Sequence, residues 1–184
     1  MVFNLAGLER ILNLVFVYTL SLILFGSYVY QFALNKEPCP LCLLQRIGML
    51  GIACSLLLNL RFGIRIEYYG LAILSALLGR IVSLRQIGLH ICPDFPCFGE
   101  PIFGIDLYIW SFMIFSTSIF ACAVLLILRG FSKVKGDASY WGVFEKLGFW
   151  TVFFLVITNA IITFMECGLS LCATLYFLTG AGCS

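Results

Sequence analysis

The sequence predicts an all-α membrane protein, a four-helix transmembrane bundle followed by a fifth C-terminal transmembrane helix. The chain is 62% hydrophobic and only 11% charged, whereas a soluble globular domain is about half apolar and about a quarter charged. Its apolar residues fall into five runs, each close to the roughly 20 residues that a spanning helix needs. These runs lack the alternation of membrane β-strands, and a backbone in lipid must satisfy its own hydrogen bonds. Each run is therefore predicted to be a helix.

The five predicted spans cover, in order, about residues 11–34, 43–60, 68–89, 107–128 and 147–165. The first run is too long for the apolar part of a signal peptide and has no small-x-small cleavage site, so it is predicted to stay in the chain. The predicted organisation is a four-helix core over residues 1–128, a cytoplasmic connector over 129–146, and a fifth span with an exported cysteine-containing tail over 147–184.

The basic residues predict the orientation of the bundle, because cytoplasmic connectors are enriched in lysine and arginine. Seven of them fall at one end of the predicted helices: Arg10, Arg61, Arg65, Arg129, Lys133, Lys135 and Lys146. Three fall at the other end: Lys36, Arg46 and Arg85. This excess places the N-terminus and the connectors at 61–67 and 129–146 in the cytoplasm.

Seven of the nine cysteines then lie on the exported side, where disulfides form and persist. They are Cys39, Cys42, Cys92, Cys97, Cys167, Cys172 and Cys183. Cys54 and Cys122 fall inside spans, where a free cysteine behaves as a small apolar residue. This distribution indicates thiol chemistry or a disulfide framework outside the cytoplasm.

Two other kinds of site are disfavoured. The net charge of +2 is too small to indicate nucleic acid as a partner, and the aromatic residues lie in apolar runs. Zinc would need a second C-x-x-C motif or nearby histidines, and His90 is the only histidine. No metal site is expected, and two-histidine ligation of haem is impossible.

The motif Cys39-Pro40-Leu41-Cys42 lies where the first exported loop enters the second predicted helix. A disulfide closed over two intervening residues is strained and reducible, which suits redox exchange. Cys42 would lie in the first helical turn, where the helix dipole favours a thiolate. Arg46 follows one turn later on the same face, about 6 Å along the axis, and it would favour the thiolate further and bind a polar acceptor. The alternative is a static disulfide beside an arginine that extends to the membrane interface.

The segment from Pro38 to Arg46 resembles the Pro-Cys-x-x-Cys-x-x-x-Arg signature of the disulfide bond formation protein B (DsbB) family. The resemblance covers roughly residues 10–128 and includes Arg85-Gln86, a cysteine-bearing second loop and the segment Pro101–Gly104. It implies a quinone-dependent protein-thiol oxidoreductase of the bacterial inner membrane. Such an enzyme reoxidises a periplasmic thioredoxin-like (DsbA-like) oxidant and passes the electrons to ubiquinone or menaquinone.

The resemblance also implies roles for individual residues. Cys39 and Cys42 would reduce the quinone, with Cys42 as the thiolate that contacts the ring and Arg46 as the cation of the quinone site. Cys92 and Cys97 would take electrons from the oxidant, with Cys92 as the site of the mixed disulfide. Separately, Arg85 is expected at the outer surface, near the quinone pocket or the lipid headgroups.

Three features depart from the family pattern. The second cysteine pair has only a C-x4-C spacing, and a fifth span follows the usual four. Cys167 and Cys172 could form an extra redox pair, a structural disulfide or a tether to the second loop, of which the structural disulfide is favoured, while Cys183 is the odd cysteine and could stay free. The last departure is Arg80, which lies about halfway along the third predicted helix. It would either contact the quinone, since charge at mid-bilayer indicates function, or extend to the interface from a helix whose boundaries differ from those predicted.

A competing function is a disulfide-stapled membrane scaffold or a metal-handling protein without redox turnover. Its disulfides would resist mild reductants and would be indifferent to quinone. The state of the cysteines with and without quinone separates this function from that of a thiol oxidase.

Overall fold

The computed structural model describes residues 5–33, 40–90, 104–131 and 142–167. These residues form five α-helices: α1 (Leu5–Ala33), α2 (Pro40–Phe62), α3 (Ile66–His90), α4 (Leu107–Phe131) and α5 (Val143–Cys167). All five are long and apolar enough to cross a membrane. The protein is therefore a multi-pass, all-α membrane bundle, and the predicted fold class, including the fifth helix, is confirmed.

The helices extend beyond the predicted spans, most of all at the end that carries the basic residues. Arg10, Arg61, Arg129 and Glu145 lie inside helices, because helical hydrogen bonding continues where the mean hydropathy has already fallen. The connector predicted at 129–146 is correspondingly shorter, since α4 ends at Phe131 and α5 begins at Val143.

Helix α2 is the centre of the described bundle, and it packs against α1, α3 and α5, while α4 packs against α3. Small residues allow the closest approach. A Cβ atom added to Gly79 of α3 would lie 2.2 Å from Cζ of Phe115 in α4. One added to Gly48 of α2 would lie 3.1 Å from Cα of Gly79. Without side chains at these positions the backbones of α2 and α3 come together, as is usual for helices packed in membranes.

A tight turn joins α2 to α3. Gly63 follows the last residue of α2 with a φ of 90°, which is a conformation that glycine adopts without a Cβ penalty. The side-chain oxygen of Asn59 accepts a hydrogen bond from the Arg65 backbone N–H at 2.9 Å. The two helices are therefore held antiparallel by a connection of three residues.

Buried polar side chains join α1, α3 and α4 at the end of the bundle that holds this turn. Arg129 Nη1 lies 3.5 Å from a carboxylate oxygen of Glu9, and its Nη2 donates to the Ile64 carbonyl at 3.3 Å. The amide of Asn13 donates to the Tyr69 hydroxyl at 2.8 Å. Glu9, Asn13 and Tyr69 are almost fully buried, so these contacts fix the relative positions of the three helices.

Two polar contacts attach α5 to α1 at the same end. Arg10 forms an ion pair with Glu145, and its Nη2 donates to Oε2 of Glu145 at 2.6 Å. The Tyr18 hydroxyl donates to the Phe144 carbonyl at 2.7 Å. Helix α5 is thus an integral part of the bundle and runs parallel to α1.

Candidate functional site

Cys42 lies in the first turn of α2, as the sequence predicts, because the helix begins at Pro40. Proline is well suited to that position, since its ring presets the helical φ and the N–H that it lacks would have no helical partner. The positive end of the helix dipole therefore lies at Cys42. The thiol is partly buried at the end of the bundle opposite the Glu9–Arg129 pair.

A glutamine of α3 contacts the sulfur of Cys42. Gln86 Nε2 donates to Cys42 Sγ at 3.7 Å, and Gln86 Oε1 accepts a hydrogen bond from Gln45 Nε2 at 2.8 Å. Gln86 is only 1% exposed and Gln45 only 4%. Because buried amides must find partners, the bond to Gln45 orients the Gln86 amide with its N–H groups toward the sulfur.

Arg46 is buried between α2 and α1. Its Nη1 donates to Gln31 Oε1 at 2.7 Å, and its Nη2 donates to the Ser27 carbonyl at 3.2 Å. Its guanidinium carbon lies 4.6 Å from the centre of the Tyr28 ring, which is within the range of a cation–π interaction. Only 8% of the Arg46 residue is exposed.

Arg85 and Arg80 of α3 occupy different surroundings from Arg46. Arg85 is partly exposed and precedes Gln86 in the chain. The guanidinium of Arg80 lies over the Phe112 ring of α4, 5.0 Å from its centre, so Arg80 faces α4 whereas Gln86 faces α2. The observed ends of α3 differ from the predicted ones by only one or two residues, so shifted boundaries do not explain the position of Arg80.

The structure places Cys42 against α3 and Arg46 against α1, but several predicted site residues lie outside the part of the chain that it describes. These are Cys39, Cys92, Cys97, Cys172 and Cys183. Cys167 ends α5, and its side chain is also outside the described set. Within the described ranges, no three histidine, cysteine or carboxylate side chains come close enough to hold a metal ion.

The sequence reasoning missed the polar residues that surround the cysteine and the arginine. Gln45 and Gln86 lie in the segments that carry the family resemblance, yet neither was assigned a role, and Tyr28 and Gln31 were not singled out. A glutamine within an apolar span indicates a buried hydrogen bond, because its amide needs a partner there. The sequence does not say which residue that partner is.

This arrangement can stabilise negative charge on the Cys42 sulfur. The start of α2 contributes its dipole, Gln86 contributes a hydrogen bond, and the Arg46 side chain one turn later contributes a fixed positive charge. Gln86 and Arg46 are buried, and electrostatic interactions are stronger away from water. Such an environment favours a reactive thiolate over a thiol.

Comparisons with known proteins identify the family of this chain. The sequence model of the family described as disulfide bond formation protein DsbB matches residues 9–100. A protein named disulfide bond formation protein B from Azoarcus sp. (strain BH72) is 29% identical, over 76% of this chain and 89% of that protein.

Two further relatives with that name align over shorter stretches. The one from Chromobacterium violaceum is 46% identical over 34% of this chain and 40% of its own length. The one from Aromatoleum aromaticum is 37% identical over 62% of this chain and 64% of its own length. No solved structure matches the chain significantly. The family match includes Cys42, Arg46 and Gln86, and the chain belongs to the disulfide bond formation protein DsbB family.

Proposed function

We propose that this protein is a membrane thiol oxidase that reoxidises a periplasmic thioredoxin-like disulfide donor and passes the electrons to a membrane quinone. The observation that carries the proposal is the environment of Cys42, which lies in the first turn of α2, receives a hydrogen bond from Gln86 and lies one turn from the buried Arg46. Membership of the DsbB family supports the disulfide-forming part of this function.

Two cysteine pairs would carry the electrons. A thiolate of the reduced donor attacks the Cys92–Cys97 disulfide at Cys92, and the resulting mixed disulfide resolves to leave an oxidised donor and two thiols in the protein. Thiol–disulfide exchange between the two pairs then reoxidises Cys92 and Cys97 to a disulfide and reduces Cys39 and Cys42 to thiols. A quinone held near Cys42 by Arg46 and Gln86 would supply the oxidising capacity, because it would accept the two electrons and two protons released when the Cys39 and Cys42 thiols close to a disulfide again.

The residues around Cys42 fit a quinone ring. A quinone presents two carbonyl oxygens, which accept hydrogen bonds, on an otherwise apolar body, and Arg46 and Gln86 are buried donors. The contacts of Arg46 with Gln31 and Ser27 hold its charge in place. Arg85 precedes Gln86 near the C-terminal end of α3 and is partly exposed. It would lie nearer the lipid headgroups than Gln86 does. Ubiquinone and menaquinone both satisfy this description.

The basic residues support an inner-membrane orientation with Cys42 toward the periplasm. In the structure, the N-termini of α1, α3 and α5 and the C-termini of α2 and α4 lie at one end, as the contacts of Arg129 and of Arg10 require. Arg61, Arg65 and Lys146 lie at that end too. By the positive-inside rule this end faces the cytoplasm.

The central experiment measures turnover of the purified protein in lipid with a reduced thioredoxin-like donor and a quinone. Loss of donor thiols and reduction of the quinone should proceed together, and Cys42→Ser should abolish both. Cys54→Ser is a matched control, because Cys54 is an exposed cysteine of the same helix, three turns away. If Cys42→Ser turned over as fast as the parent, this mechanism would be wrong.

A companion experiment concerns Arg46. Replacing it with methionine should raise the apparent KM for quinone, because the fixed cation that would bind the carbonyl oxygen is gone. Arg61→Met is the matched control, since Arg61 is exposed at the opposite end of α2. An unchanged quinone dependence in Arg46→Met would remove Arg46 from the site.

Thiol trapping in cells distinguishes this function from a disulfide-stapled scaffold. An oxidase should accumulate reduced cysteines when quinone is depleted, because its disulfides can no longer be regenerated. A scaffold should keep the same disulfides under both conditions.

A further inference from the structure

A groove open to the lipid runs between α1 and α5. Its cavity volume is about 520 Å³, within the range of about 300–1,000 Å³ that is usual for small-molecule sites. Most of its lining is hydrocarbon, and it includes Phe25, Tyr28, Val29, Phe32, Phe154 and Thr158. Along α1 the groove extends over residues 25–33, or about 12 Å at 1.5 Å per residue.

The groove lies beside the Arg46 site and at the same depth. Tyr28 lines the groove, and the guanidinium of Arg46 lies over the ring of the same tyrosine. Ser27 and Gln31, which hold Arg46, belong to the same two turns of α1. The Tyr28 side chain thus borders both the hydrocarbon groove and the buried cation.

Helix α5 is held against Tyr28 by polar contacts. The Tyr28 hydroxyl lies 3.3 Å from Oδ1 of Asn159 and 3.4 Å from the Leu155 carbonyl oxygen. Asn159 is almost fully buried. Because the Arg10–Glu145 ion pair fixes the other end of α5, both walls of the groove have fixed positions. Helix α5 itself lies beyond the residues that match the family.

We propose that this groove binds the polyprenyl tail of the quinone, so that α5 forms one wall of the electron-acceptor site. The inference rests on the proposed function, because it assigns the tail of a molecule whose ring would reach Arg46. Such a molecule has hydrocarbon on one side and carbonyl oxygens on the other, which matches a groove of hydrocarbon beside a buried cation. A phospholipid matches less well, since its charged headgroup stays at the interface while Arg46 is buried at the depth of the groove.

The test fills the groove and compares two quinones with the same ring, one with a polyprenyl tail and one without. Thr158→Trp puts a large side chain into the groove. Ala160→Trp is the matched control, because Ala160 is exposed on the same helix and does not line the groove. The readout is the apparent KM of each quinone in proteoliposomes of one lipid composition.

Thr158→Trp should raise the KM for the tailed quinone roughly tenfold, which is the loss expected when a couple of buried methylene groups lose their contacts. Its KM for the tail-less quinone should stay at the parent value, which also shows that the variant is folded. Ala160→Trp should change neither KM. An unchanged KM for the tailed quinone, or an equal rise for both quinones, would overturn the groove assignment while leaving the Cys42 mechanism intact.

Crosslinking of the parent protein gives a second test that needs no variant. A quinone with a photoreactive group on its tail should label residues 25–33 of α1 and 154–158 of α5, and an excess of unlabelled tailed quinone should compete. Labelling of other helices alone, or labelling that the unlabelled quinone does not reduce, would overturn the groove assignment. If the parent reduced no quinone at all, both this inference and the proposed function would fail.

Discussion

Replacing Gln86 with leucine tests whether the glutamine acts on the sulfur of Cys42. Gln86 donates to Cys42 Sγ and accepts from Gln45 Nε2, so Gln86→Leu removes both bonds. The amide of Gln45 stays buried at 4% exposure and loses this acceptor, which should cost about 1–3 kcal/mol of unfolding free energy. Converting both glutamines to leucine leaves no orphaned amide, so the double variant should be more stable than Gln86→Leu alone.

The reactivity of Cys42 should respond differently from stability. A hydrogen bond to a charged group contributes about 1.5–3 kcal/mol, and the 3.7 Å distance places this one at the low end. Because about 1.4 kcal/mol is a factor of ten, alkylation of reduced Cys42 at a fixed pH should be roughly tenfold slower in Gln86→Leu. The double variant should be equally slow, since it lacks the same donor.

Two measurements check these expectations: the unfolding free energy in detergent, and the alkylation rate of Cys42 followed by mass spectrometry. Ser83→Ala is the control, because Ser83 is a buried polar residue of α3 whose hydroxyl, among the described residues, donates to the Gly79 carbonyl of its own helix. Alkylation at the parent rate in both leucine variants would show that Gln86 does not stabilise the thiolate. A double variant less stable than the single would refute the argument from the buried amides.

Three further predictions concern the packing of the bundle, each measured as the unfolding free energy in detergent. Gly79→Ala should destabilise the protein by about 1–3 kcal/mol, because the new methyl group overlaps the buried Phe115 ring; an unchanged stability would mean that α3 and α4 can separate freely. Arg129→Met should cost about 3–5 kcal/mol by leaving the Glu9 carboxylate buried without its counter-ion, and Glu9→Leu in the same chain should restore most of it, so additive losses would contradict the pairing. Glu145→Gln should cost about 1–3 kcal/mol through loss of the ion pair between α1 and α5, and an effect below that range would mean that the pair contributes little to holding α5.

The number and the kind of the helices could be predicted because they depend on local properties of the chain. A run of about 20 apolar residues matches the thickness of the bilayer hydrocarbon whatever its neighbours are. The helix ends could be predicted only to within several residues, as Arg10 and Glu145 illustrate. Both are charged residues inside helices, and each is paired there with the other, because Arg10 of α1 and Glu145 of α5 form an ion pair.

The candidate site could be predicted only in part. The spacing of Cys42 and Arg46 follows from the helical repeat, and the Cys42 position in the first turn follows from the placement of Pro40. The partners of both residues come from other helices, namely Gln86 from α3 and Gln31 from α1. No local sequence pattern identifies these two glutamines as the partners, because the apolar segments that contain them resemble the other apolar segments of the chain.

By itself, then, the sequence determined that the chain crosses a membrane on helices and that a cysteine lies in the first turn of the second helix, one turn before an arginine. Both properties come from interactions within a single segment: hydropathy against bilayer thickness, and the 3.6-residue repeat. Only the tertiary structure decided which sides of the helices meet, that Arg46 turns toward α1, and that α5 lies beside α1 to form a groove. Those choices depend on the fit of side chains between helices, such as Phe115 against Gly79, and in lipid the apolar effect alone does not select one helix partner over another.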